Sequence, residues 1–177
     1  MHLAIAYPSL QRGNEYEDYI GAINGILGGS MSARLFQEVR EKRGLAYSVY
    51  SYVSAFAECA TQNIYAGVNP AKVGQAYDAI CNVIKDIKTN GITQDEFLRS
   101  REQMKSSMFF SNESSNSQML LYGKHMLNYD KLFDFEEKLN RINSMTYENA
   151  QEVIGLLFNE QGRALALVGD TDTPLAF

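Results

Sequence analysis

Apolar and polar positions repeat along this chain with two periods, and the switch between them marks its elements. Leu3-Ala4-Ile5-Ala6-Tyr7 reads as a first strand, followed by a polar loop from Pro8 to Asn14. Tyr16, Tyr19, Ile20, Ile23, Ile26 and Leu27 then recur with the spacing of one helical face, which predicts a helix over 15–27. Glu15, Glu17 and Asp18 open it, where the helix dipole favours negative charge, and Gly28-Gly29 closes it. A short second helix is predicted from Ser32 through Leu35, Phe36 and Val39 to Gly44.

The pattern then changes. Ala46 to Ser54 is rich in Tyr and Val and reads as a strand, with Asn63 to Val68 as its neighbour and 57–61 as the turn between them. Asn69-Pro70 starts a helix whose apolar stripe is Val73, Tyr77, Ile80, Ile84 and Ile87, and Asn90-Gly91 stops it. Thr93-Gln94-Asp95-Glu96 is a capping box, in which the Thr hydroxyl and Glu carboxylate each satisfy a backbone N–H. Helices follow: one through Phe97, Leu98, Met104, Met108 and Phe109, then Met119 to Leu127, Leu132 to Ile142, and one capped by Thr146. A last strand, Ala164 to Val168, precedes a polar tail. Strands at both ends and in the middle, with helices between, predict an α+β fold: a small, mostly antiparallel sheet with helices packed on one face. No repeat or linker interrupts residues 1–177, so a single domain is expected.

Composition narrows the function more than the fold. A chain of 177 residues buries enough surface to fold without a disulfide or metal staple. The net charge of -5 argues against a nucleic-acid partner, and the one basic cluster, Arg40-Glu41-Lys42-Arg43, is interrupted by an acid. Cys59 and Cys81 read as buried free thiols of a reducing compartment. No secretory h-region and no membrane-length apolar run is present, so a cytoplasmic location is expected by elimination and no membrane partner.

The inventory of reactive groups is sparse. A zinc hydrolase needs clustered imidazoles and a carboxylate, yet the chain has only His2 and His125, and neither H-E-x-x-H nor H-x-x-E-H occurs. His125, on an apolar-rich helix, reads as a hydrogen-bonded structural residue. No G-x-S-x-G elbow occurs, and Ser111 to Ser117 reads as a polar helix junction. Gly28-Gly29-Ser30 lacks the spacing of a phosphate loop and reads as a tight turn. One pair stands apart. Arg40 in the last turns of a helix and Tyr47 at the start of a strand could converge, and a guanidinium with a phenol can polarise a carbonyl and stabilise an oxyanion. Spacing alone leaves both readings open, because Arg40 could equally be a solvated helix residue and Tyr47 one of several strand tyrosines beside Tyr50 and Tyr52.

The block LGGSMSARLFQEVREKRGLAYSVYS, Leu27 to Ser51, resembles the carboxy-terminal domain of bacterial zinc peptidases of the pitrilysin/insulinase family, those related to mitochondrial processing peptidase. His2 in the opening strand, Gly67-Val68-Asn69-Pro70, Thr93 to Glu96, Ser114 to Ser117 and Leu167-Val168-Gly169-Asp170 follow in order, so the resemblance covers nearly the whole chain. It implies a zinc-free half of a two-domain clamshell. The zinc and its H-x-x-E-H motif would belong to an amino-terminal domain or subunit, the expected partner, and the substrate would be a peptide. This half would hold no metal and no catalytic residue acting alone. Arg40 and Tyr47 match the family's arginine and tyrosine, seven apart, that contact the substrate near the scissile bond. The chain by itself would be inactive and, through its exposed interdomain surface, prone to self-association.

The turn reads GGSMSARLF where GGGMSSRLF is common, and the glycine-rich insertion of the non-catalytic mitochondrial subunit is absent. A non-catalytic assembly or binding module on the same fold is the alternative, with an independent enzyme of another class behind it.

Overall fold

The structure, a computed structural model, describes residues 1–169; the tail from Asp170 onward lies outside the described residues. Four strands, β1 (His2–Ser9), β2 (Ala46–Ala55), β3 (Ala60–Val68) and β4 (Ala164–Val168), form one sheet in the order β2-β3-β1-β4. Every neighbouring pair is antiparallel. Helices α1 (Glu17–Leu27), α2 (Val73–Asn90), α3 (Gln94–Glu113), α4 (Ser115–Tyr129), α5 (Phe135–Asn143) and α6 (Tyr147–Leu156) complete the α+β fold, with a π-helical stretch, Phe36–Glu41, ahead of β2.

The period of two puts one set of strand residues against the helices. Leu3, Ile5 and Tyr7 of β1 and Ile64, Ala66 and Val68 of β3 are buried against Ile20, Ile23 and Leu27 of α1 and Ile80, Ile84 and Ile87 of α2. The intervening residues, His2 and Ala4 among them, face outward. One face of the sheet is therefore the floor of the core and the other is open.

Several boundaries differ from the sequence expectation, each for a local reason. β1 continues through Pro8 to Ser9, where a loop was expected. The pairing of β1 with β4 stops at Ala6, so Pro8 sits where one side of the strand is an edge and no N–H is needed there. α1 begins at Glu17, because the Asn14 side chain accepts from the Tyr16 N–H at 2.9 Å and holds the chain in a turn. The helix expected from Leu132 begins only at Phe135, once Asp134 caps it by accepting from the Glu137 N–H. β3 starts at Ala60, so the hairpin turn is shorter than expected.

Two ion clusters tie the helices together. Arg34 donates to both carboxylate oxygens of Glu96 at 2.7 Å, and also to Asp86 at 2.8 Å and the Gly91 carbonyl at 3.1 Å. Glu96 is at the same time the acidic member of the capping box with Thr93. Asp18 of α1 is buried and is paired with Lys138 and Arg141 of α5.

Candidate functional site

Arg40 and Tyr47 are each raised by an irregularity in the backbone. Leu35 and Val39 are fully buried and pin the inner side of the helical stretch. Its turn widens, with the Lys42 N–H donating to the Gln37 carbonyl at 2.9 Å, and such π-helical turns recur at functional sites. Gly44, at φ +58°, ends the stretch in the left-handed region. The Gly44 N–H reaches the Arg40 carbonyl at 3.0 Å and the Leu45 N–H reaches that of Val39 at 2.9 Å. This is the nested bonding of a glycine-terminated helix, each bond one residue wider than usual. Leu45 and Ala46 are buried again, so the chain turns once and returns to the core.

Tyr47 then occupies a β-bulge. Ala46 pairs with Val68 and Ser48 with Gly67, which leaves Tyr47 opposite neither. In an unbroken strand it would share the inward face with Val49, Ser51 and Val53. The extra residue turns it outward instead, to 87% exposure.

The two side chains meet. The Arg40 guanidinium carbon lies 5.9 Å from the centre of the Tyr47 ring and 4.8 Å from that of Phe36. Its ion pair with Glu41 is loose, at 3.8 Å, and a surface pair of that length contributes little. Neither the guanidinium nor the Tyr47 hydroxyl makes a hydrogen bond among the described residues, so both present unused donors to solvent. Beside them is an open cleft of about 540 Å³, lined by His2, Gly44, Tyr47, Tyr65, Gly67 and Lys72 among others.

Metal donors are not assembled here. His2 shares a 2.6 Å hydrogen bond between Nδ1 and the Tyr65 hydroxyl. His125, on α4, pairs its Nδ1 with the Lys131 carbonyl at 2.7 Å and packs on Tyr129 and Phe133, as a structural histidine does. Among the described residues no three His, Cys, Asp or Glu side chains are placed to hold an ion, so a catalytic zinc with three protein ligands does not fit.

The other sequence candidates resolve as structural parts, with one correction. Cys59 is exposed in the β2–β3 turn instead of buried, because that turn is held by its backbone, the Phe56 N–H donating to the Cys59 carbonyl at 2.8 Å. Cys81 is half-buried, and burial pushes its thiol pKa up. Gly28 is a point of close approach: a Cβ there would lie 2.6 Å from the Ser51 amide nitrogen. Ser114 caps α4 by accepting from the Ser117 N–H. The His2–Tyr65 pair was not singled out from sequence. Its signal is parity: Asn63, Tyr65 and Gly67 alternate with the apolar Ile64, Ala66 and Val68.

An α+β domain with a one-sided antiparallel sheet, an arginine–tyrosine pair at its lip and no metal centre among the described residues is the class this structure defines. The chain belongs to the family described as the Peptidase M16 inactive domain, which residues 1–104 match. The uncharacterized zinc protease YmxG of Bacillus subtilis is 40% identical over 167 residues, 94% of this chain and 41% of that protein. The chain thus spans about two fifths of that relative's length. Two solved structures share the fold. The peptidase M16 inactive domain from Pseudomonas fluorescens has a TM-score of 0.80 at 24% identity, covering 93% of this chain and 39% of the other. The inactive peptidase domain of a putative zinc protease from Bordetella parapertussis has a TM-score of 0.82 at 14% identity, covering 98% and 94%.

Proposed function

We propose that this chain is the substrate-positioning, zinc-free half of a zinc metalloendopeptidase, with Arg40 and Tyr47 as the groups that hold the peptide carbonyl at the cut. The observation that carries the reading is geometric. Two unrelated irregularities, a π-helical turn and a β-bulge, both bring a donor to the same lip of the sheet and leave it without a hydrogen-bond partner among the described residues. A guanidinium and a phenol so placed stabilise negative charge developing on a carbonyl oxygen. The relatives named as zinc proteases support the assignment, and their extra length has room for a zinc-bearing amino-terminal domain, on which the hydrolytic step would depend.

The rest of the longer protein also accounts for an exposed apolar surface. α4 has no buried residue, and Phe110, Met119, Leu127 and Leu132 are each more than half exposed along the α3–α5 region. A patch of this kind marks an interaction surface, and the occupant proposed for it is the remainder of the same protein, in one chain or as a separate subunit. A cytoplasmic location rests on the two unpaired thiols.

The test is kinetic, in the full-length zinc-bearing protein. Tyr47→Phe and Arg40→Ala should each lower kcat about 100-fold, the cost of losing one oxyanion donor, and change KM far less. Wild-type kinetics in both variants would overturn the assigned roles. Full-length protein with bound zinc that cleaves no peptide would favour the assembly module instead.

A further inference from the structure

The open face of the sheet carries no Asp, Glu, Lys or Arg, which is unusual for an exposed surface in a chain that is 21% charged. Strand register places Ser48, Tyr50, Tyr52 and Ser54 of β2 beside Gly67, Tyr65, Asn63 and Thr61 of β3, then His2, Ala4, Ala6 and Pro8 of β1, and last Val168, Ala166 and Ala164 of β4. None of these is Asp, Glu, Lys or Arg.

The face is also stepped. Tyr65 and Tyr50 pack with ring centres 5.0 Å apart, Tyr50 and Tyr52 at 6.1 Å, and His2 joins the row through its hydrogen bond to Tyr65. Tyr50 and Tyr52 remain 45% and 47% exposed. Beside this wall of rings Ala4, Ala164 and Ala166 form a low floor. A wall one ring high against a methyl floor makes an apolar trough. His2 and Tyr65 line both the wall and the cleft next to Tyr47, so the trough is continuous with the Arg40–Tyr47 lip.

We infer that this trough reads the substrate: a peptide held at Arg40 and Tyr47 lays an aromatic or long aliphatic side chain, from a residue flanking the cut, on the alanine floor against the tyrosine wall. The inference rests on the proposed function. Ring faces and methyl groups favour apolar bulk, and an acidic side chain laid on the alanine floor would meet methyl groups with no Lys or Arg of the sheet face to pair with. Tyr65, steadied by His2, and Tyr50 would be the residues that determine specificity.

The full-length zinc-bearing protein is given peptides identical except at one flanking position, which is Phe, Leu, Ala or Glu, each flanking position being scanned in turn. At one position wild type should favour Phe and Leu over Ala by about tenfold, the discrimination an apolar pocket achieves, with Glu poorest. Tyr50→Ser and Tyr65→Ser should collapse that ratio, and so should Ala166→Glu, which places a charge on the floor. Tyr47→Phe should slow every peptide alike and keep the ratio. Absence of an apolar preference in wild type, or its persistence in all three trough variants, overturns the inference. If wild type cleaves no peptide, the proposed function fails, and the trough is judged separately on this chain. The chain has no tryptophan, so a peptide with a single Trp reports its own binding. Saturable binding weakened by Tyr50→Ser supports the trough, and no binding overturns it.

Discussion

Residue parity carries much of the site. Tyr47 has the same parity as Val49 and Val53, while Tyr50 and Tyr52 have the other, so a regular strand would bury one phenol among valines. That conflict is visible in the sequence and is what a bulge resolves. Gly44 does the companion work at the other end of the turn. Its φ of +58° disfavours any Cβ although the space around it is open, so Gly44→Ala should cost about 1 kcal/mol through strain alone. Gly123, inside α4 and equally open, should respond in the opposite sense, with Gly123→Ala adding about 0.5 kcal/mol. Urea unfolding of the two variants reads both signs, and equal effects would refute the assignment of strain to Gly44.

Between elements, the contact with the clearest consequence is Arg34 with Glu96. It joins the segment leading into the π-helical stretch to the start of α3, and through Asp86 and Gly91 to the end of α2. The Arg34 guanidinium holds the Glu96 carboxyl at about 2, below its usual 4.5, aided by the Thr93 N–H and hydroxyl against the opposing effect of burial. A carboxyl that binds its proton less readily when folded stabilises the protein above the unfolded pKa and loses that contribution as pH falls through the folded one. The stability supplied by Glu96 is therefore complete above about pH 4.5 and declines toward pH 2. Arg34→Gln should cost about 2 kcal/mol at pH 7, the loss of a charged hydrogen-bonded pair that is mostly shielded from water. The gap between wild type and variant should narrow as pH drops from 4.5 toward 2, measured by denaturant titration at each pH. A gap independent of pH would show that the Glu96 charge is not its source. Thr93 to Glu96 was legible as a capping box because its members are three residues apart. Arg34 was not, because its partner lies 62 positions away and no local rule connects them.

At the scale of the molecule, the chain has one face that is finished and others that are not. The core between sheet and helices is closed, whereas the open sheet face and α4 leave apolar groups in water. In isolation the chain should self-associate through the exposed apolar surface of α3 and α4 with rising concentration, and Leu127→Lys on α4 with Phe110→Lys on α3 should make it monomeric, as read by sedimentation equilibrium. A wild-type chain that stays monomeric throughout would remove this α3–α4 surface as an interface.

The element order, the α+β layout, the apolar stripes, the capping box and the arginine–tyrosine spacing were all determined by sequence alone. They depend on period, propensity and short-range hydrogen bonds, which act within a few residues. Only the tertiary structure decided that Arg40 and Tyr47 meet, that His2 stands beside Tyr65, and that one whole sheet face holds no Asp, Glu, Lys or Arg. These depend on strand register and on a bulge, which set distant residues side by side and which no single segment encodes.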